Sequence, residues 1–168
     1  EENCLGQCGI VVDDVYCLEN PNDNLISAGG FHNLAINSDQ EVIAWGRNND
    51  GEINVPEDLT NVIKVDAGEY HSIALKSDGT VVVWGENDYG QSTIFDSLDL
   101  TDIIDISGGQ DHSLALKSDG TVVAWGENDY SQATIFDSLD LRDVIDISGG
   151  EDHSLALKSD GTVIAWGN

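Results

Sequence analysis

The sequence predicts an all-β chain made of β-propeller blades, and three observations carry that prediction. Trp-Gly recurs four times, at Trp45, Trp84, Trp125 and Trp166, at intervals of 39, 41 and 41 residues. A period near 40 residues is the length of one blade. All four histidines, His32, His71, His112 and His153, share one register, each 13 residues before its tryptophan. Asp-Gly joins two apolar, β-branched runs at Asp78-Gly79, Asp119-Gly120 and Asp160-Gly161, which is a strong short-range hairpin signal.

The elements follow in chain order. Residues 1–24 precede the repeats and hold all three cysteines, Cys4, Cys8 and Cys17. An odd count in an oxidising compartment predicts one disulfide and one thiol that is free or bonded elsewhere. With no histidine nearby, zinc is not expected. The repeat region, 25–168, divides into units near 25–63, 64–104, 105–145 and 146–168. Residues 103–130, IIDISGGQDHSLALKSDGTVVAWGENDY, are copied almost letter for letter in 144–166.

Within a unit, a β-rich run such as Asp102–Ser107 ends at glycine and is followed by the hairpin, so at least three strands are expected. The segment Gln91–Leu100 and its copy Gln132–Leu141 either add a short outer strand or cross to the next blade. The Asp-Gly turns predict type I′ geometry, and Asp39-Gln40 in the first unit predicts a looser turn or one of another type. Alternation places Val123 and Trp125 on one face and Val122 and Ala124 on the other. Both faces are small or apolar, so each sheet is sandwiched between neighbours. Solenoids have shorter repeats, and helical repeats do not fit the β-branched residues and Asp-Gly turns.

Charge narrows the function classes. Six Lys plus Arg face 32 Asp plus Glu, for a net charge of -26. Nucleic-acid binding needs clustered cations to replace counterions, so it is not expected. Anionic membranes are disfavoured for the same reason, and no apolar run is long enough for a helical span. A chain that starts at Glu1 without a signal-like stretch reads as a processed, trimmed or partial product.

The pattern V-I-D-I-S-G-G-x-D-H-S-L-A-L-K-S-D-G-T-V-x-A-W-G-x-N resembles the repeat of the regulator-of-chromosome-condensation propellers, in the short-repeat form of secreted bacterial proteins. The likeness covers about 25–168 and implies membership of a larger, seven-bladed ring. Seven such units need far more than 168 residues. The chain is therefore read as a portion of a ring, with completion by self-association or a four-bladed ring as the alternatives. The string NCLGQCG…VVDD also resembles the acidic Cys-Gly linkers of large bacterial surface proteins. Together these imply an extracellular or cell-surface location.

The family contains a nucleotide-exchange factor for a nuclear GTPase and a secreted β-lactamase inhibitor. The exchange role is not expected, since this chain is acidic and its even units carry no insertion. The expected role is a non-enzymatic interaction module. A structural or adhesive element and an enzyme-inhibitor-like propeller are the alternatives.

The four histidines, although flanked as Asp111-His112-Ser113 and Asp152-His153-Ser154, cannot form a triad, because adjacent strand residues point to opposite faces. They are read as packing groups whose imidazoles bond to backbone between blades. Trp45, Trp84, Trp125 and Trp166 are read as core, and the Gly pairs 29–30, 108–109 and 149–150 as turn formers. The candidate partner surface is the loop after each Trp-Gly: Asn48, Asn49 and Asp50; Asn87, Asp88 and Tyr89; Asn128, Asp129 and Tyr130. Their oxygens make calcium the one cofactor to consider; no other cofactor or metal is expected. Self-association through open blade faces is the other expected contact, with the Trp166 strand lacking a neighbour. The first unit diverges most, at Phe31, Asn33, Asn37, Arg47 and Pro56.

Overall fold

The computed structural model describes residues 9–11, 14–16, 25–95, 97–136 and 139–168. The cysteine expectations at Cys4, Cys8 and Cys17 lie outside these residues. A short antiparallel pair, β1 (Gly9–Val11) and β2 (Asp14–Tyr16), precedes four three-stranded antiparallel sheets. Blade 1 is β3 (Ile26–Ala28), β4 (His32–Ile36) and β5 (Val42–Gly46). Blade 2 is β6 (Val62–Ala67), β7 (His71–Lys76) and β8 (Val81–Gly85). Blade 3 is β9 (Ile103–Gly108), β10 (His112–Lys117) and β11 (Val122–Gly126). Blade 4 is β12 (Val144–Gly149), β13 (His153–Lys158) and β14 (Val163–Gly167). Among the described residues there is no helix, so the all-β, four-unit propeller expectation holds.

Each blade is a meander of consecutive strands. Gln91–Leu100 and Gln132–Leu141 form turns and crossings, and no fourth strand appears among their described residues. The first strands of neighbouring blades lie side by side and line a groove of about 710 Å³.

The hairpin turns differ from type I′. Type I′ requires positive φ at both central residues, yet in Ser77-Asp78-Gly79 only Gly79 has it, at 81°. The Gly79 N–H donates to the Lys76 carbonyl, and the Lys76 N–H to the Thr80 carbonyl. This is a three-residue loop closed by a left-handed residue, the G1-bulge form. The first unit keeps the same bonds, from Gln40 N–H to Asn37 and from Asn37 N–H to Glu41. Gln40 adopts φ 60° to do so. Its turn is thus neither looser nor of another type. The Asn37 side chain compensates by accepting from the Asp39 and Glu41 N–H groups.

The cores sit between blades. Leu34 and Val42 of blade 1 meet Val65, Ala74 and Trp84 of blade 2. Ile73, Leu75 and Val81 of blade 2 meet Ile106, Ala115 and Trp125 of blade 3. Leu114, Leu116 and Val122 of blade 3 meet Ile147, Ala156 and Trp166 of blade 4. Alternation is the reason: one strand face supplies leucine or isoleucine to the following blade, the other supplies tryptophan to the preceding one. Each fully buried leucine or isoleucine is worth about 1.5–3 kcal/mol.

The polarity of these contacts corrects one expectation. Trp166 packs backward on blade 3 and is only 6% exposed, while among the described residues its strand has no blade on the other side, where Val163 is 61% exposed. Trp45, expected in the core, is 49% exposed, because it points away from blade 2. Among the described residues no blade packs on the tryptophan face of blade 1 or on the histidine face of blade 4.

Candidate functional site

Every blade junction repeats one polar relay. Nε2 of His32, His71 and His112 lies 2.9 Å from Oγ of Ser72, Ser113 and Ser154 in the next blade. Those hydroxyls donate to the carbonyls of Glu52, Gln91 and Gln132 at 2.8, 3.0 and 2.9 Å. The same carbonyls accept the indole N–H of Trp84, Trp125 and Trp166. A serine has one proton to donate, so its oxygen accepts from an Nε2–H tautomer of the histidine. The histidines therefore bond across the junction to a serine hydroxyl, a partner that the sequence reading did not name.

Burial holds these imidazoles neutral. It is the largest cause of the lowered pKa at all three, down to about 3 at His71 and about 4 at His112. In each, Nδ1 is buried without a hydrogen-bond partner. The serine proton goes to a peptide carbonyl and the ring nitrogen facing it already carries one, so these His–Ser pairs are not nucleophile–base dyads.

The loops after Trp-Gly are pinned from below by the same buried residues. Glu52, Gln91 and Gln132 accept from the N–H of Asp50, Tyr89 and Tyr130. Asn48, Asn87 and Asn128 accept from the N–H of Ile53, Ser92 and Ala133. Their amides donate to Asn54, Thr93 and Thr134. Three of the nine candidate residues, Asn48, Asn87 and Asn128, thus have their side chains engaged within the loop. Asn49, Asp88 and Asp129 are exposed, and Tyr89 and Tyr130 stand out at 53% and 50% exposure. Among the described residues no group of three or more His, Cys, Asp or Glu is arranged to hold a metal ion.

One loop departs from its twin. Gly90 takes φ 81° and Ser131, its copy, takes φ 67°. The left-handed region costs a non-glycine residue about 1 kcal/mol or more. Ser131→Gly is expected to raise stability by about 0.5–1 kcal/mol, read as a higher urea midpoint. An unchanged or lower midpoint would mean the hydroxyl stabilises the loop.

Behind these loops Glu86 and Glu127, the first residues of the acidic loops after Trp-Gly, form a rim with Asp111, which the sequence reading did not place there. Burial, then the Asp111 carboxylate, pushes Glu86 up to about 7. Burial, then Asp111, also raises Glu127. The charge of Glu127 raises the Tyr89 phenol, followed by that of Asp111. Gln91 Nε2 donates to Asp111 and Gln132 Nε2 to Glu127. The missed signal was register: Glu86 and Glu127 each follow Trp-Gly directly, and Asp111 precedes a histidine. The first unit differs. Arg47 occupies the position of Glu86 and Glu127, pairs with Asp50 and Glu52, and lies over the Phe31 and Tyr70 rings at 5.5 and 4.7 Å. Those rings stack at 5.8 Å.

The family model for the regulator of chromosome condensation (RCC1) repeat matches residues 25–52, 62–91, 103–132 and 144–168. The chain belongs to this repeat family. No curated protein sequence matches it significantly. Among solved structures it resembles Prp20p of Saccharomyces cerevisiae, with 25% identity and a TM-score of 0.70 over 85% of this chain and 44% of that one. That structure is described together with binding to Gsp1p and histones. Human WBSCR16 aligns at 23% identity and a TM-score of 0.72, over 92% of this chain and 50% of the other. The CRINKLY ectodomain of the Arabidopsis thaliana receptor kinase ACR4 aligns at 22% and 0.64, over 84% and 49%. The chain spans about half the length of these neighbours or less. Propellers built of RCC1 repeats serve binding or exchange rather than catalysis.

Proposed function

We propose that this RCC1-repeat chain is a non-enzymatic protein-interaction module of a secreted or cell-surface protein, and that it engages a cationic protein surface through its acidic loop rim. The observation that carries the reading is the pair of exposed tyrosines, Tyr89 and Tyr130, on pinned loops beside Glu86, Asp111 and Glu127. Rigid aromatic anchors cost little ordering entropy, and like-charged carboxylates around them steer an oppositely charged partner. Prp20p, described with histones and Gsp1p, and yeast RCC1 bound to Kap60 lend support as family members that dock proteins. The plant receptor ectodomain supports the extracellular placement by analogy of fold.

The test is titration of the chain with a fluorescent Arg/Lys-rich peptide at low and high salt. Binding that weakens with salt is expected, and Tyr89→Ala with Tyr130→Ala should weaken it by roughly tenfold or more. The Tyr→Phe pair should retain most of it. No binding, or equal binding by the alanine pair, would leave the rim a plain solvated surface and favour a structural, adhesive role.

A further inference from the structure

Two crossings carry an exposed apolar patch that packing does not require. The segments QSTIFDSLDL (91–100) and QATIFDSLDL (132–141) lead from blade 2 to blade 3 and from blade 3 to blade 4. In the first, Ile94 and Phe95 are 41% and 50% exposed; in the second, Ile135 and Phe136 are 39% and 44% exposed. The exposed Tyr89 and Tyr130 stand in the loops just before them. The Phe95 ring lies against Gly90, the residue after Tyr89, since a methyl added there would stand 3.5 Å from its Cζ. Both patches stand at junctions with a described blade on either side.

Backbone bonds hold these segments. The Thr93 N–H donates to the Gly90 carbonyl and the Leu98 N–H to that of Phe95, with Thr134 to Ser131 and Leu139 to Phe136 in the copy. Blade 1 builds the same frame from other residues. Asn54 N–H donates to Gly51 and Leu59 N–H to Pro56, yet Asp50, Val55 and Pro56 stand where the copies have tyrosine, isoleucine and phenylalanine. The frame therefore forms without the aromatic residues. An aliphatic and aromatic cluster left in water on a rigid frame, and present twice, is surface suited to burial by a partner.

Charge selects the occupant. The Glu127 carboxylate raises the Tyr89 phenol most, followed by Asp111, with Asp129 and Asp88 adding to it. The first patch thus lies in the field of four carboxylates. The hairpin lysines Lys76, Lys117 and Lys158 stand at the opposite strand ends, paired with Asp78, Asp99 and Asp140. A purely apolar segment gains nothing from that field, whereas an aromatic side chain beside lysine or arginine satisfies both features.

We infer that the chain has two equivalent binding sites, one at Tyr89, Ile94 and Phe95 and one at Tyr130, Ile135 and Phe136, each taking a protein segment in which an aromatic side chain is flanked by basic residues. The inference rests on the rim reading above and extends it: the site is doubled, and the partner needs an apolar residue as well as charge. A partner that presents such segments in tandem engages both sites, and its second contact is then intramolecular.

The experiment is calorimetric titration of the chain with a synthetic peptide holding one tryptophan among lysines and arginines, and with the same peptide carrying alanine in place of the tryptophan. Two tryptophan peptides per chain are expected, and the alanine peptide should bind at least roughly tenfold more weakly. Ile94→Ser combined with Phe95→Ser should lower the count to one, as should Ile135→Ser with Phe136→Ser. These side chains already face solvent, so the urea midpoints of the variants should stay near that of the parent chain. One tryptophan peptide per chain, or equal binding of the two peptides, would overturn the doubled site and leave the acidic rim a binder of basic segments. So would serine variants that still take two peptides. No binding of either peptide would overturn the rim reading and this inference together.

Discussion

Acidification from pH 7.5 to pH 5 is expected to withdraw about 4 kcal/mol of stability through His71 and His112 alone. Their folded pKa values lie near 3 and 4, below the ordinary 6.5, because burial penalises the imidazolium. A depressed folded value means the contribution is complete above about 6.5 and is lost as pH falls toward the folded value. At pH 5 each unfolded imidazole has gained a proton that the folded one refuses, at about 2 kcal/mol apiece. His32 is shifted in the same direction and adds to the loss.

Glu86 works the other way. Its carboxyl is pushed up to about 7, so the cost of ionising it in the folded state is relieved as pH falls. The histidine contribution is therefore read as a difference. The destabilisation caused by His71→Gln, measured by urea unfolding, should be about 2 kcal/mol smaller at pH 5 than at pH 7.5. An equal cost at both values would show that His71 accepts a proton freely in the folded protein. Glu86→Gln should flatten the alkaline side of the profile, since its raised pKa places that part of the titration near pH 7.

The second large effect concerns a glycine. Gly109→Ala is expected to destabilise by about 1–3 kcal/mol or more, the range of an overpacked core. The added methyl would lie 2.2 Å from Cε1 of His112 and 2.7 Å from the Gly150 carbonyl. The ring cannot retreat, because Nε2 is held by Ser154 at 2.9 Å. Gly161→Ala is the control. It has nothing within 4 Å and pays only for φ +86°, about 1–2 kcal/mol. If the two substitutions cost the same, with Gly109→Ala no worse than the strained turn, crowding by the His112 ring and the Gly150 carbonyl is not what requires glycine at 109.

Those two glycines also show what kind of information the sequence holds. Asp160-Gly161 is local chemistry, legible as a hairpin because three residues determine the turn, although the turn is of the G1-bulge form and not type I′. Gly108-Gly109 reads as a turn by the same logic, but neither residue has positive φ. The absent side chain of Gly108 makes room for the Gly68 backbone of the neighbouring blade, and that of Gly109 for the His112 ring of its own blade and for the Gly150 carbonyl of the next, so part of the requirement comes from residues about 40 positions away. The histidines divide in the same way. Their spacing marks them as repeat positions, but only the packed blades identify the serine hydroxyl as the partner and burial as the cause of the low pKa.

The candidate site was legible in part. Tyr89 and Tyr130 follow from loop position, and the structure leaves both exposed on pinned backbones. Asn48, Asn87 and Asn128 carry the right atoms for binding, yet their side chains are spent on the loop itself. The Glu86, Asp111 and Glu127 rim was not legible, since its members come from different blades and only the turn of one blade onto the next brings their charges together.

The sequence by itself determined the strands, the hairpins, the period and the two apolar faces of every sheet, because these depend on alternation and on residues a few positions apart. The tertiary structure alone decided direction: tryptophan packs backward, leucine and histidine pack forward. That polarity leaves Trp45 exposed and buries Trp166, although the two residues stand in the same local sequence. The physical reason is that burial belongs to the neighbouring blade, and no residue within a repeat records whether that neighbour is present.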